Sequence, residues 1–222
     1  MHLVKKSRLG AVAVMLTGLG ACSTQLLAPA NPMSFFVTSE NPGKGADFGG
    51  LAGADAYCES LAAKVAASRG NWRAYLSATA SHGAPAVNAR ERIGGGPWKN
   101  AKGEVVARDV DELHGTNKLN KQTALTEKGE PVSGRGDAVN RHDILTGSTL
   151  QGRAVETGGD STCGNWTYSG EGSAIVGHHD RIGLDESAPM KSWNSSHTTR
   201  GCSLAALNAT GGGGLLYCFA VN

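Results

Sequence analysis

The sequence predicts one small domain of the α+β class that is held together by disulfide bonds. Three observations lead to this prediction: one segment has helical periodicity, several short segments have the character of strands, and four cysteines are available for pairing. The chain of 222 residues has 32 glycines, and aromatic residues make up only 5% of it. We therefore expect many loops around a modest hydrophobic core.

The first predicted elements are a strand, a helix and a second strand. Residues 35–37 are a short apolar segment that precedes a glycine-rich turn. In residues 53–67 apolar side chains recur every three or four positions, which is typical of a helix with one buried face, and Cys58 lies on that face. Residues 72–78 alternate in the way that a half-buried strand does.

The later predicted elements are shorter. Residues 87–93 predict a short helix that ends at a run of glycines. Residues 109–150 are polar and interrupted by glycines, so we expect only short apolar patches there. Strands are predicted again at residues 164–168, 173–176 and 215–221, and the last of these carries Cys218.

The first 21 residues have the layout of a cleavable export signal. Lys5, Lys6 and Arg8 are followed by an apolar run that is too short to span a bilayer, which requires about 20 residues. The segment Leu19-Gly20-Ala21-Cys22 resembles the lipobox of bacterial lipoproteins. That resemblance implies removal of residues 1–21 and acylation of Cys22. The alternative is an ordinary signal peptide that leaves Cys22 as a free thiol.

The predicted anchor determines the expected location of the protein. Acyl chains on Cys22 would hold it at a membrane, because each buried methylene contributes about 0.8 kcal/mol. Residues 22–34 lack periodicity and are rich in small and polar residues, which predicts a flexible tether before a domain at residues 35–222. Ser23 stands where an Asp would resemble the inner-membrane retention signal. We therefore expect a lipid-anchored protein of the cell envelope, at the outer membrane.

The charge balance argues against a nucleic-acid partner. The chain has 21 Lys and Arg residues and 19 Asp and Glu residues. Removing Lys5, Lys6 and Arg8 with the signal leaves 18 basic and 19 acidic residues. Such a mature chain lacks the general basic charge that proteins use to bind nucleic acids.

Four cysteines remain once Cys22 is set aside, namely Cys58, Cys163, Cys202 and Cys218. An even number in an exported protein predicts two disulfide bonds. Three connectivities are possible, and the spacing alone does not choose among them. A zinc site on these cysteines is the competing interpretation, but the cysteines are far apart and form no C-x-x-C pair.

Blocks of residues in a fixed order resemble the endostatin family. They are GNWRAYL at residues 70–76, TGS at 146–148, CGNWT at 163–167 and LYCF at 216–219. The chain is also similar to the endostatin-like lipoproteins of bacteria, which share the C-x-N-W-T and L-Y-C motifs and the lipobox. The resemblance covers residues 35–222, with a poor match at residues 117–141. It implies a C-type-lectin-like fold with two nested disulfides, Cys58–Cys218 and Cys163–Cys202.

Lectins of this fold class that bind sugars through calcium use an E-P-N-like and a W-N-D-like tripeptide, because calcium requires six to eight oxygen ligands. Here Trp193-Asn194-Ser195 lacks the second carboxylate, and Asp185-Glu186-Ser187 stands in place of the first tripeptide. The candidate ligand-binding residues are Asp185, Glu186, Trp193, Asn194 and His197. The alternative is that Trp193 packs in the core and Asn194 caps a turn.

His178, His179 and Asp180, with His197 nearby in the sequence, are residue types that bind metals. Adjacent histidines on a strand point to opposite faces, so they cannot easily bind the same ion. We therefore expect exposed loop histidines, no metal site and no cofactor.

No motif of a known enzyme class is present: the sequence contains no G-x-S-x-G elbow and no H-E-x-x-H helix. We expect a non-catalytic surface lipoprotein that binds glycans or host or matrix proteins. The alternative is a structural lipoprotein that faces the periplasm and binds peptidoglycan or a partner protein. An enzyme remains a third hypothesis if Cys163 or Cys202 proves to be a free thiol.

Overall fold

Two disulfide bonds and a six-stranded sheet organise this chain, which is of the α+β class as predicted. The computed structural model describes residues 1–3, 32–67, 70–81 and 83–221. The predicted signal region, Cys22 and most of the tether therefore lie outside the described residues. Met33 and Ser34, which the sequence assigned to the tether, are buried at 0% and 2% exposure.

The described residues form eight strands and five short or medium helices. The strands are β1 (Phe35–Val37), β2 (Trp72–Ala74), β3 (Trp98–Lys99), β4 (Val105–Ala107), β5 (Asp143–Leu145), β6 (Ile175–His178), β7 (His197–Thr198) and β8 (Gly212–Ala220). The helices are α1 (Gly50–Lys64), α2 (Ala89–Arg92), α3 (Val110–His114), α4 (Cys163–Trp166) and α5 (Leu204–Ala209). Among the described residues no helix has both the length and the apolar character that a bilayer crossing requires.

The main sheet has the strand order β1-β8-β5-β6-β7, and β2 also pairs with β8. The pairing of β5 with β8 is parallel, and the other pairings in this sheet are antiparallel. Strands β3 and β4 form a separate antiparallel pair. Strand β8 is thus hydrogen-bonded to three other strands, which places it at the centre of the fold.

Strand β8 is buried along its whole length and divides the core into two clusters. Successive side chains of a strand point to opposite faces of the sheet. Leu216 and Cys218 belong to the cluster that packs against α1, whereas Tyr217 and Phe219 belong to the cluster that contains Trp98. Both faces of the central strand are therefore covered.

The two disulfides have the pairing that the endostatin resemblance implied, so this prediction is confirmed. Cys58 of α1 is bonded to Cys218 of β8, across 160 residues of sequence. Cys163 of α4 is bonded to Cys202, across 39 residues. All four cysteines are fully buried.

The predicted helix and the predicted strand at residues 164–168 need correction. Helix α1 begins at Gly50 and ends at Lys64, three residues earlier at each end than the periodicity indicated, and Ala66 just beyond it is left-handed with φ 54°. Residues 164–168 are not a strand, because positions 163–166 all have positive φ and form the turn α4. The indole of Trp166 holds this turn by donating to the carbonyl of Ser77 at 2.7 Å.

Two further segments differ from their predictions. The strand predicted at residues 72–78 ends at Ala74, and Tyr75 and Ser77, expected on its polar face, are buried. Tyr75 packs into the core cluster that contains Trp98, so the segment is covered on both sides. The polar segment 109–150 contains the central strand β5, which the sequence analysis missed because only Ile144 and Leu145 in it are apolar.

Candidate functional site

A cavity with a volume of about 790 Å³ opens beside strands β6 and β7. Its lining includes the imidazoles of His142, His178 and His197, and Gly211 approaches His142 at its edge. Behind these rings lies Asp143, which is buried at 2% exposure. The four side chains form what we call the histidine–aspartate cluster.

Neighbouring strands of the main sheet bring the cluster together. Asp143 of β5 is the direct cross-strand partner of His178 of β6, so their side chains lie on the same face. His197 of β7 is paired with Val176, which lies two residues before His178 in β6. His197 is therefore the diagonal neighbour of His178 across the two strands. His142 precedes β5 and lies outside the regular strand, which allows its ring to share a face with Asp143.

Gly177 allows strand β6 to pack closely against the backbone of Ser192 and Trp193. A Cβ atom there would lie 1.8 Å from the carbonyl oxygen of Trp193. The same close approach allows the amide of His178 to donate to the carbonyl of Ser192 at 2.8 Å. Only glycine fits between the strand and this segment.

Three imidazole nitrogens converge on a single oxygen of Asp143. The Nε2 atoms of His142, His178 and His197 lie 3.2, 3.3 and 3.4 Å from Asp143 Oδ1. The rings of His142 and His178 are stacked, with centroids 4.1 Å apart. Yet within the described residues three atoms lack a hydrogen-bond partner of acceptable geometry. They are the two carboxylate oxygens of Asp143 and Nε2 of His178.

The other nitrogen of each ring has an acceptor of its own. His178 Nδ1 lies 2.7 Å from the carbonyl of Met190, and His197 Nδ1 lies 3.1 Å from the carbonyl of Thr198. His142 Nδ1 lies 3.3 Å from the carboxylate of Asp180. These contacts fix the orientation of the three rings toward Asp143.

The two buried carboxylates are ionised at neutral pH. Burial opposes ionisation of Asp143, but His178 and His197 outweigh it and lower the pKa of its carboxyl group. Burial likewise opposes ionisation of Asp180, whereas His142 and backbone amides that include that of Arg135 lower its pKa to about 2. The Asp143 carboxylate in turn raises the pKa of His197.

The mouth of the cavity carries positive charge. Arg135, Arg141 and Arg200 line it, and no carboxylate in the described residues does so. In that part of the chain their guanidinium groups form no ion pair and no side-chain hydrogen bond. Exposed apolar side chains, Leu184 at 79% and Val139 at 55%, complete the rim.

Comparisons with known proteins do not assign this chain to a family. It matches no protein-family model and no curated protein. Its function therefore has to be inferred from the cavity and the histidine–aspartate cluster.

The structure separates the five candidate ligand-binding residues. Asp185 and Glu186 are exposed, and the carboxylate of Glu186 is paired with the ammonium of Lys191. Trp193 is buried at 3% exposure among aromatic rings, as the alternative interpretation held. Asn194 does more than cap a turn, since its amide donates to the Tyr75 hydroxyl and to the carbonyls of residues 149 and 150. Of the five, His197 alone lines the described cavity.

The expectation of exposed loop histidines at positions 178 and 179 was wrong. His178 ends strand β6 at 2% exposure, and His179 is completely buried. The two rings do point to different surroundings, because His179 Nε2 faces the carbonyl of Ser133. Burial lowers the pKa of His179.

Sequence reasoning missed His142 and Asp143. The segment Arg141-His142-Asp143 stands directly before the apolar pair Ile144-Leu145, and two apolar residues are too few to indicate a strand. The partners of this pair are more than 30 residues away in sequence, so only the sheet pairing reveals the cluster.

Proposed function

We propose that this chain is a membrane-anchored binding module of C-type-lectin-like fold that binds anionic glycans in the arginine-lined cavity. The lipobox-like segment at Cys22 supports the anchor, and the endostatin-like blocks with their two disulfides support the fold. Ser23, which stands where an Asp would resemble the inner-membrane retention signal, supports a location at the outer membrane.

The observation that carries the ligand is the charge of the cavity. Arg135, Arg141 and Arg200 contribute three guanidinium groups without acidic partners among the described residues. Guanidinium groups bind carboxylate and sulfate oxygens through paired hydrogen bonds, and such charged bonds are stronger than neutral ones. An anion is therefore the ligand that this cavity favours.

The shape of the cavity favours a saccharide over a protein surface. Its volume of about 790 Å³ lies within the range of small-ligand sites, which is about 300–1,000 Å³. Asn140, Asn208 and Thr198 on the walls can hydrogen-bond with hydroxyl groups. A uronate- or sulfate-bearing sugar satisfies both the charge and the polar walls.

A glycan array probed with the mature protein in detergent tests this proposal. We expect binding to uronate- or sulfate-bearing saccharides, no binding to neutral ones, and weakening by salt. Arg141→Glu and Arg200→Glu should weaken binding by at least about tenfold, because each removes a charged hydrogen bond worth about 1.5–3 kcal/mol.

Lys128→Glu is the matched control, since this exposed lysine lies outside the cavity and the substitution changes the net charge equally. Equal weakening by all three variants would mean that only overall charge matters. An array without anionic hits at micromolar protein would refute the proposed ligand.

Membrane anchoring has a separate test. Cells grown with labelled palmitate should incorporate the label into this protein, and Cys22→Ser should abolish incorporation and release the protein from the membrane fraction. Retention of the label by the variant would contradict acylation at this residue.

A further inference from the structure

We infer that His142, Asp143 and His178 bind one zinc ion at the base of the cavity, with His197 beside them. The core of the site is the trio of His142, Asp143 and His178, whose ligand atoms all lie within 4.8 Å of one another. His197 Nε2 lies 3.4 Å from the same carboxylate oxygen. This inference does not depend on the proposed glycan ligand.

The distances from Asp143 Oδ1 to the three imidazole nitrogens fit the edges of a tetrahedral site. With zinc–ligand bonds of about 2.0–2.1 Å, two corners of a tetrahedron lie about 3.3–3.4 Å apart. The three Nε2 atoms lie 3.2, 3.3 and 3.4 Å from Asp143 Oδ1. The distances that are slightly long for hydrogen bonds are therefore those expected between ligands of one metal ion.

The protonation of the rings also calls for a cation. Carbonyl and carboxylate oxygens can only accept hydrogen bonds, so the contacts of His178, His197 and His142 place the proton on each Nδ1. Each Nε2 then directs a lone pair at Asp143 Oδ1. A cation between these atoms can accept the lone pairs of the rings and of the carboxylate.

The contacts behind the rings resemble the outer contacts of known metal sites. Ligating histidines generally donate their second nitrogen to a carboxylate or a backbone carbonyl, which fixes the ring. Asp180 has this role for His142, and the amides of Arg135 and Ile182 hold Asp180 in place at 2.7 and 3.0 Å. A Cβ at Gly134 would meet the Asp180 carboxylate, so glycine is needed there as well.

The donor set selects zinc over the common hard cations. Calcium requires six to eight oxygen ligands, and magnesium prefers octahedral oxygen sites. Imidazole ligands combined with a single carboxylate are typical of zinc. His197, with 31% of its side chain exposed at the cavity wall, leaves a path by which the ion can enter.

Metal binding by the purified protein tests this site directly. After treatment with a chelator, the protein should bind one equivalent of zinc in competition with a chromophoric chelator. It should also bind cobalt with the strong visible absorption of four-coordinate Co²⁺. Added zinc should raise the melting temperature, because the ion binds only the folded chain.

Variants separate the site from general binding by histidines. His178→Gln and Asp143→Asn should each weaken zinc binding by at least about tenfold, since removing even an outer contact of a metal site has that effect. His197→Gln, at the partly exposed ring beside them, should do the same without threatening the fold. His179→Gln is the matched control, because its ring faces Ser133, and zinc binding should be unchanged.

Two results would overturn the inference. One is a wild-type protein that binds zinc no more tightly than the Asp143→Asn variant while both are folded by circular dichroism. The other is a His179→Gln variant that loses as much affinity as His178→Gln.

Discussion

His114 is a half-buried histidine with both ring nitrogens engaged. Its Nδ1 lies 2.7 Å from the carbonyl of Val110, and its Nε2 lies 2.8 Å from the hydroxyl of Tyr75. Burial lowers the pKa of His114, and Arg90 lowers it further while Asp111 acts in the opposite direction. The folded protein therefore prefers the neutral ring.

This preference predicts a loss of stability in acid. The unfolded chain binds a proton at the ordinary pKa of 6.5, whereas folded His114 binds it only at lower pH. The contribution of His114 is complete above that value and declines as the pH falls below it. The difference in melting temperature between the wild type and His114→Gln should shrink between about pH 7.5 and about pH 5. A constant difference would contradict the assignment, because the other histidines titrate in both proteins.

The histidine–aspartate cluster shows which individual site residues can be predicted from the sequence. His197 was among the predicted ligand-binding residues and close in sequence to His178, and the structure puts it at the cavity. His142 and Asp143 carry no local pattern that distinguishes them from other polar residues in the segment 109–150. Their role depends on which strands pair, and strand pairing is a property of the whole sheet.

At the scale of elements, the contact between β6 and the segment before β7 depends on Gly177. Gly177→Ala would force a methyl group against the Trp193 carbonyl, at a distance of 1.8 Å before relaxation. We expect a loss of about 3 kcal/mol or more, because overpacking against backbone cannot be relieved by a rotamer change.

Gly95→Ala is the matched control for this substitution. A Cβ at Gly95 meets no atom within 4 Å, and the glycine has no left-handed φ. Urea unfolding should show little change for Gly95→Ala. Equal stability of the two variants would show that the strand shifts to accept the methyl group.

The two disulfides should differ in their contribution to stability. In the chain-entropy model a bridge that closes a longer loop removes more entropy from the unfolded chain. Loops of 160 and 39 residues correspond to roughly 5 and 4 kcal/mol. The double variant Cys58→Ala/Cys218→Ala should therefore unfold at lower denaturant than Cys163→Ala/Cys202→Ala. The reverse order would indicate that contacts around α4, and not loop entropy, dominate.

Elements with strong local signals were predicted and those with weak signals were not. Strand β1, helix α1 and strand β8 are apolar or strongly periodic, and each was found within a few residues of its bounds. The turn α4 was mistaken for a strand, because tertiary hydrogen bonds between the Asn165 side chain and the Thr79 backbone stabilise its left-handed residues. Strand β3, with two residues, is too short to leave a pattern.

At the scale of the whole molecule, the boundary between tether and domain can be tested. Met33 is completely buried in the cluster beside α1, and Ser34 bonds to Lys99 through both its backbone amide and its hydroxyl. Met33→Ala should cost about 2–5 kcal/mol, which is the usual loss for a buried side chain of this size. Pro32→Ala, at an exposed neighbour, should change the melting temperature little. A Met33→Ala variant as stable as the wild type would show that residue 33 belongs to the tether.

The central position of β8 has a consequence for biogenesis. Strand β1, near the start of the domain, pairs with β8 at its far end, and one disulfide depends on Cys218. A polypeptide that emerges amino-terminus first cannot close this sheet until strand β8 has emerged. Pairings between distant segments form slowly. The topology itself thus keeps the nascent chain open until β8 is available, and the Cys58–Cys218 bond can form only after that point.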